Sequence, residues 1–279
     1  MQTFPMGRAA IRASFAAEAG AADAAMTDRA EMTPNATDPL SLISWNIHRA
    51  RGNDGHVDPA RVVDVLAREV WSPDAELLVL QEADTERAPI RGLLDIAAVE
   101  AVTGLRWIHR DLQSRSGPDS HGFLGVVLFA PPQWQVEDIR LVDLPGHCPR
   151  GAVVLDALRN GQPLRIIATH LSLSQVLRLV QLRTIRQHLN RFDDRPTILC
   201  GDLNEWRLWG GLALSRYGLG GDFHGPAKAS FPINHPVLPL DRVLAKAPAH
   251  VVGVEVLDGP GIRATSDHRP IRASVTLSP

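Results

Sequence analysis

Five short polar motifs stand out along the chain: Trp45-Asn46-Ile47-His48, Gln81-Glu82, Thr169-His170-Leu171, Gly201-Asp202-Leu203-Asn204 and Ser266-Asp267-His268. Between them they offer carboxylate and amide oxygens, which suit a hard divalent cation, and imidazoles, which suit proton transfer and contact with an anion. Each closes an apolar run. A strand that begins apolar and ends polar buries one end and delivers the other to a cleft. Taken singly, each motif has an ordinary reading. Gln-Glu is a solvated strand exit, Thr-His a hydrogen-bonded structural histidine, Asp-Leu-Asn a turn, and Ser-Asp-His an N-cap or turn. Five in one chain, all at the ends of apolar runs, are hard to reconcile with independent turns.

The elements that must carry these motifs are legible as apolar runs. Residues 40–48 read as a strand, and Leu77-Leu78-Val79-Leu80 is a continuous apolar run that suits a strand buried on both faces. Residues 123–129, 135–144, 152–158, 164–170, 197–204, 240–244, 250–257 and 270–277 supply further strands. Three segments have helical spacing: 59–70, with Asp58 at the N-cap and Pro59 at N1; 90–102; and 174–192, whose apolar set is Val176, Leu179, Val180, Leu182, Ile185 and Leu189. Many strands, few helices and no repeated unit predict one α/β sandwich domain over residues 40–279. The Pro-rich stretch 231–239 reads as an ordered loop, because a strand follows at once. Residues 1–39 lack a sustained apolar stripe and read as a disordered or loosely ordered leader, with Met6, Met26 and Met32 as alternative starts.

Composition bounds the partners. Of 279 residues, 44% are hydrophobic and 22% charged, ordinary values that allow a sizeable core. A formal net charge of -2 gives no global pull toward nucleic acid or an anionic membrane, although a local basic groove stays open. Lys228 and Lys246 are the only lysines; the remaining basic residues are arginines. Cys148 and Cys200 form no disulfide framework, and Cys200, inside an apolar run, reads as a small buried thiol. No run approaches the ~20 apolar residues of a membrane span. The N-terminus has no apolar signal core, so a cytoplasmic location is expected. Core packing accounts for most of the six tryptophans better than a stacking platform does.

In this order the motifs resemble the endonuclease/exonuclease/phosphatase superfamily, whose members include exonuclease III-like apurinic endonucleases, DNase I, inositol polyphosphate phosphatases and neutral sphingomyelinases. The resemblance covers residues 40–279. It is closer still to small bacterial members, through Asn46-Ile47-His48, Asp54-Gly55-His56-Val57-Asp58, Arg150-Gly151-Ala152, Thr169-His170-Leu171 and Gly201-Asp202-Leu203-Asn204-Glu205-Trp206. It implies a four-layer α-β-β-α sandwich of two packed, mainly antiparallel or mixed sheets, with the site at one end. By the same resemblance Glu82 is the principal ligand of Mg²⁺ (or Mn²⁺), and Asn46 helps hold the metal-bound water and the phosphate. Asp202 orients or deprotonates the attacking water. His170 and Asn204 contact phosphate. Asp267 and His268 form a paired Asp-His, and Asp241 supports the site histidine. Arg150 either reaches phosphate or lies at the surface. The chain departs from the pattern at His121-Gly122-Phe123-Leu124-Gly125, where many relatives carry Gly-Asn; His121 stands there either as a replacement or as an ordinary loop histidine.

The expected activity is therefore divalent-metal-dependent hydrolysis of a phosphodiester or phosphomonoester by in-line attack of an activated water. A metal with imidazole and amide donors offsets the charge that develops on phosphorus oxygens. A small or lipid-derived phosphoester is preferred as substrate, a membrane lipid being reached without a membrane anchor, and the protein is expected to be a monomer. Nucleic acid is the less favoured alternative, because no basic insertion or stripe is visible. From another class, a catalytically dead binding module is opposed by the presence of Glu82, Asp202 and His268.

Overall fold

A computed structural model describes residues 38–277. The leader expected over residues 1–39 falls outside them up to residue 37. The first sheet contains β1 (Leu40–Asn46), β2 (Leu77–Gln81), β3 (Arg106–Trp107) and β4 (Val127–Ala130), together with β11 (His250–Val256) and β12 (Ile271–Thr276), in the order β11-β12-β1-β2-β4-β3. The second contains β5 (Gln135–Leu144), β6 (Arg150–Arg159), β7 (Gln162–His170), β8 (Thr197–Asp202), β9 (Phe223–His224) and β10 (Asp241–Lys246), in the order β5-β6-β7-β8-β10-β9. Central strands buried on both faces are mainly apolar, and β1, β2 and β8 are buried throughout, with the polar Ser44 of β1 bonded to Gln81 of β2 at 3.1 Å. Nearer the edge, β12 alternates buried and half-buried residues, the period of a strand covered on one face.

Three apolar clusters define the layers. One lies between the sheets, joining Leu42, Leu77 and Val79 to Val153, Leu155, Ile166 and Ile198. A second packs α1 (Pro59–Val65), α2 (Ile96–Thr103) and α5 (Pro260–Thr265) on the outer face of the first sheet, around Trp45, Val62, Val99 and Ile262. The third packs α3 (Gln175–Leu189) and α4 (Arg216–Leu219) on the second sheet through Leu182, Ile185, Leu199 and Leu219. The result is the expected four-layer α-β-β-α sandwich, with two mixed sheets. Cys200 is fully buried between the sheets, and burial pushes its thiol up to about 12, an inert group.

Topology gathers the strand ends. β1 and β2 run parallel, with Asn46 opposite Gln81; β7 and β8 run parallel, with His170 opposite Asp202. β10 is antiparallel to β8 and begins at that end, placing Asp241 opposite Asp202. β12 is antiparallel to β1, so the loop before it returns Asp267 and His268 to the same place.

Most expected elements form, and the caps are as read: Asp58 Oδ1 accepts from the Arg61 amide at 3.1 Å. Three expectations need correction. The helix expected over 90–102 begins only at Ile96, because the preceding backbone is bonded elsewhere. Arg91 O accepts from the Thr85 amide, and the Gly92 and Leu93 amides donate to Asp119 O and Ala83 O. The strand expected from residue 123 begins at Val127, because Phe123 and Val126 exchange both backbone hydrogen bonds across a tight turn with Leu124 and Gly125 at positive φ. The third correction concerns α3. Val176 and Val180, assigned to its apolar set, are 71% and 41% exposed, while Arg178 and Gln181 are buried. Polar partners rather than apolar period set that face. Arg178 Nη2 lies 3.1 Å from Glu205 Oε2, and the Gln181 amide bonds the Ser172 amide and Pro145 O.

Candidate active site

Asp202 is the hub of the gathered strand ends. It is 1% exposed and fixed by its own loop, Oδ1 accepting from the Asn204 amide at 3.0 Å. Its Oδ2 accepts from Asn46 Nδ2 at 3.1 Å, across from the first sheet. The same oxygen faces His170 Nε2 at 3.3 Å and His268 Nε2 at 3.8 Å. Asn46 is held in turn, because its Oδ1 accepts from the His48 amide at 3.0 Å.

The two histidines have opposite protonation. Burial is the dominant effect on His170 and drives it down to about 3, outweighing the pull of Asp202. His170 is therefore a neutral imidazole between Asp202 and Glu82, whose Oε1 lies 3.8 Å from its Nδ1. Burial also works against a charge on His268, but Asp241, Asp202 and Asp267 together outweigh it and raise the group to about 10. The decisive contact is His268 Nδ1 to Asp241 Oδ2 at 2.8 Å. Asp241 is oriented by Ser230, whose hydroxyl donates to the same Oδ2 at 2.5 Å. Phe231 packs on the imidazole with ring centroids 4.8 Å apart.

The carboxylate partner of His268 is thus Asp241, on a different strand, and not the adjacent Asp267 of the Asp-His motif. Asp267 turns instead toward His48, Oδ1 lying 3.7 Å from Nδ1, at the open rim. Asp267 and His268 lie in the bend between α5 and β12, and the group that meets the His268 ring there is Asp241 at the start of β10. Asn204 lines the cleft with a left-handed backbone, φ 51°, and donates its side-chain amide to Leu171 O at 2.9 Å, so one donor is committed to the scaffold.

Glu82 stands at the exit of β2 in a left-handed conformation, φ 58°. The Gly125 turn packs against it; a Cβ there would lie 3.2 Å from Glu82 Cα. Burial raises the Glu82 carboxyl above its ordinary value, opposed by Arg49 and Arg150. Arg49 Nη1 lies 2.8 Å from Glu82 Oε2, yet that buried oxygen has no hydrogen-bond partner, so the contact is ionic and off the hydrogen-bond direction. Arg150 joins the cleft wall, its Nε buried and unpartnered. Glu82, Asn46, His170, Asp202, Asn204, Asp267, His268 and Arg150 all line one cleft of about 330 Å³, with Asp241 behind His268. His121 lies apart from that lining; its backbone amide is bound by Asp84, and its ring meets Trp107 edge-on.

Two donor sets offer themselves to a metal ion. Asp202, Asp241 and His268 bring ligand atoms within 4.8 Å of one another. Those atoms are already spent on one another, and a protonated His268 has no lone pair to give. Glu82 fits better on donor chemistry: its buried Oε2 has no hydrogen bond and lines the same cleft as Asn46, so a hard cation could take it by displacing the Arg49 ion pair.

A profile of the Endonuclease/Exonuclease/phosphatase family matches residues 43–268, from inside β1 to His268 itself. The chain belongs to this family. Among curated relatives it is 31% identical over 123 residues to the uncharacterized protein YbhP of Escherichia coli strain K12. That alignment spans 42% of this chain and about half, 48%, of the relative. Among solved structures, an endonuclease/exonuclease/phosphatase from Beutenbergia cavernae superposes with a TM-score of 0.59 at 21% identity, over 86% of this chain and 72% of that one. A mannosyl-6-phosphatase of Bacteroides thetaiotaomicron gives 0.64 at 15% identity, over 85% and 99%. At these identities the structural neighbours share the fold.

Sequence reasoning missed Arg49, Ser230 and Phe231. Arg49 follows directly on Asn46-Ile47-His48, but its role depends on three consecutive left-handed residues, His48, Arg49 and Ala50, with φ 49°, 50° and 57°. Such runs are unfavourable for side-chain-bearing residues and cluster at functional sites. No composition signal announces them. Ser230 and Phe231 sit in the Pro-rich loop, whose bridge to Leu238 brings them to His268.

Proposed function

We infer that the protein is a divalent-metal-dependent phosphoesterase of this family, hydrolysing a small or lipid-derived phosphodiester or phosphomonoester by in-line attack of water. One observation carries the reading. Asp202, buried, faces two imidazoles in a single cleft, His170 at 3.3 Å, which burial drives down, and His268 at 3.8 Å, which its carboxylate neighbours drive up. Proton acceptance and charge stabilisation are thereby separated onto neighbouring groups. A Bacteroides structure with the same fold is named a mannosyl-6-phosphatase, which supports phosphoester chemistry.

Glu82, with Asn46, would hold Mg²⁺ or Mn²⁺, and that ion would supply fixed positive charge to the phosphate oxygens. Asp202 orients a water and accepts its proton through Oδ2. The Asn46 amide and neutral His170 keep that oxygen in place. Protonated His268, locked by Asp241 and Ser230, presents Nε2–H toward the same space and offsets charge developing on a phosphate oxygen. Arg150 and Asn204 flank the position as phosphate contacts, and Arg49, ion-paired to Glu82 and Glu86, would turn to the substrate anion once a metal takes Glu82.

The test is hydrolysis of aryl phosphodiesters and phosphomonoesters with and without metal. EDTA should abolish turnover, and Mn²⁺ should raise the melting temperature of the wild type by linkage. Glu82→Gln should lose that metal-dependent shift while keeping the metal-free melting temperature. Full turnover in EDTA would overturn the reading.

A further inference from the structure

Two segments beside the cleft differ in composition from the rest of the chain. Residues 171–192, which include α3, and 206–221, which include α4, contain no Asp or Glu, yet carry Arg178, Arg183, Arg186, Arg191, Arg207 and Arg216. In a chain of formal net charge -2 this is a concentration of one sign. The same segments hold nine of the fourteen large hydrophobic residues exposed among the described residues. Leu173 is 78% exposed, Val176 71%, Trp206 51%, Leu208 72% and Trp209 75%.

These side chains share one face. Arg207 stacks 4.3 Å over the Trp206 ring and donates to Gln175 Oε1 at 2.7 Å, tying the loop after Asn204 to the start of α3. Arg178 clamps the same junction, reaching Leu173 O at 2.6 Å and Glu205 Oε2 at 3.1 Å. Arg183 carries the contact on to α4 through Tyr217 O at 3.3 Å. Leu173 and Trp206 also line the catalytic cleft, so the apolar patch is its rim. Farther along α3 a recess of about 600 Å³ is lined by Arg183, Arg186 and Arg216.

An exposed apolar patch of this kind marks an interaction surface. Tryptophans among aliphatic residues, with Arg183, Arg186 and Arg191 beside them outside the ion pairs that occupy Arg178, Arg207 and Arg216, match the interface of an anionic bilayer. Nucleic acid would leave the exposed aliphatic side chains Leu173, Val176 and Leu208 without a role. A symmetric dimer through this face would set its arginines against their own copies. We propose that this face docks the protein on an anionic phospholipid bilayer, so that the cleft takes a phosphoester presented at the membrane surface. The docking stands on the face alone; the nature of the substrate rests on the phosphoesterase reading.

The experiment is vesicle flotation of the full chain in EDTA, without turnover, using equimolar phosphatidylcholine and phosphatidylglycerol or phosphatidylcholine alone. The wild type should float with the mixed vesicles and shift its tryptophan emission to the blue. The Leu208→Asp/Trp209→Asp variant should lose at least about 10-fold in affinity. Arg183→Glu should weaken binding to the mixed vesicles selectively. Melting temperature and hydrolysis of a soluble aryl phosphodiester should be unchanged in both variants. Failure of the soluble reaction in the wild type would count against the phosphoesterase reading and leave docking standing. Docking is overturned if the wild type does not float or if the variants bind equally well. It is equally overturned if the double variant loses a solution dimer or single-stranded DNA binding while vesicle binding was absent from the start.

Discussion

The two ends of the sandwich treat buried charge in opposite ways. Away from the cleft, Arg159 meets Glu76 through two contacts of 2.6 and 2.9 Å and also donates to Asp38 O. Nearby, Arg165 grips Asp156 at 2.7 and 2.8 Å, and Arg140 adds a third bond at 2.6 Å. Burial alone would raise the Asp156 carboxyl, but these arginines hold it below its ordinary value. At the cleft, Glu82 is raised, and Glu82 Oε2, Asp241 Oδ1 and Asp267 Oδ1 are buried without hydrogen bonds. A charge that serves architecture is neutralised by a bidentate partner. A charge kept for chemistry is left partly unsatisfied, at a cost to stability that the surrounding packing must carry.

The largest effects that sharpen this contrast lie in turnover. His268→Ala and Asp202→Asn should each lower kcat by about 10²–10⁴-fold with little change in urea midpoint. The double variant should fall far short of the product, because both groups act on one step. Near-wild-type kcat in His268→Ala would place the cleft on the architectural side of the comparison. Next in size is Arg159→Ala, which leaves Glu76 buried and uncompensated. It should cost about 3–5 kcal/mol in denaturant unfolding while kcat per folded molecule is preserved. A loss of kcat without a loss of stability would erase the distinction between the two ends.

The smallest effect is the pH dependence of stability. His109, buried with Nδ1 on Ser114 O at 2.7 Å and Nε2 accepting from the Leu128 amide, is lowered to about 4 by burial. Between about 4 and the ordinary 6.5 the unfolded chain binds a proton that the folded one refuses, so stability falls with acid through that window, by up to about 3 kcal/mol. His268 acts in the other direction. Its folded value near 10 makes its contribution complete below 6.5 and progressively lost as pH rises to about 10. Urea midpoints across pH should therefore peak near 6.5, and His109→Gln should shrink the acid limb without abolishing it, because His170, lowered to about 3, adds to the same limb. An acid limb unchanged in that variant would remove His109 from the account.

Local chemistry determined much of this protein from the sequence. Mainly apolar runs mark β1, β2 and β8, because a strand buried on both faces is filled largely by apolar side chains. Asp58 before Pro59 fixes a helix start within a few residues, and polar strand exits nominate Asn46, Glu82, His170 and Asp202. Those signals are carried by residue type and short spacing. Only the tertiary structure decided the pairings. The family resemblance had already named Asp241 as support for the site histidine; the structure decided that it, and not the neighbouring Asp267, meets His268 from 27 positions away, and that Asn46 reaches Asp202 across 156 positions. It also decided that α3 buries Arg178 and Gln181 and leaves Val176 outside, because Glu205, Ser172 and Pro145 supply partners that no helical period encodes. The left-handed turn at His48, Arg49 and Ala50 belongs with these. Its cost is local, but the contacts that hold it, such as Arg49 to Glu82, come from another strand.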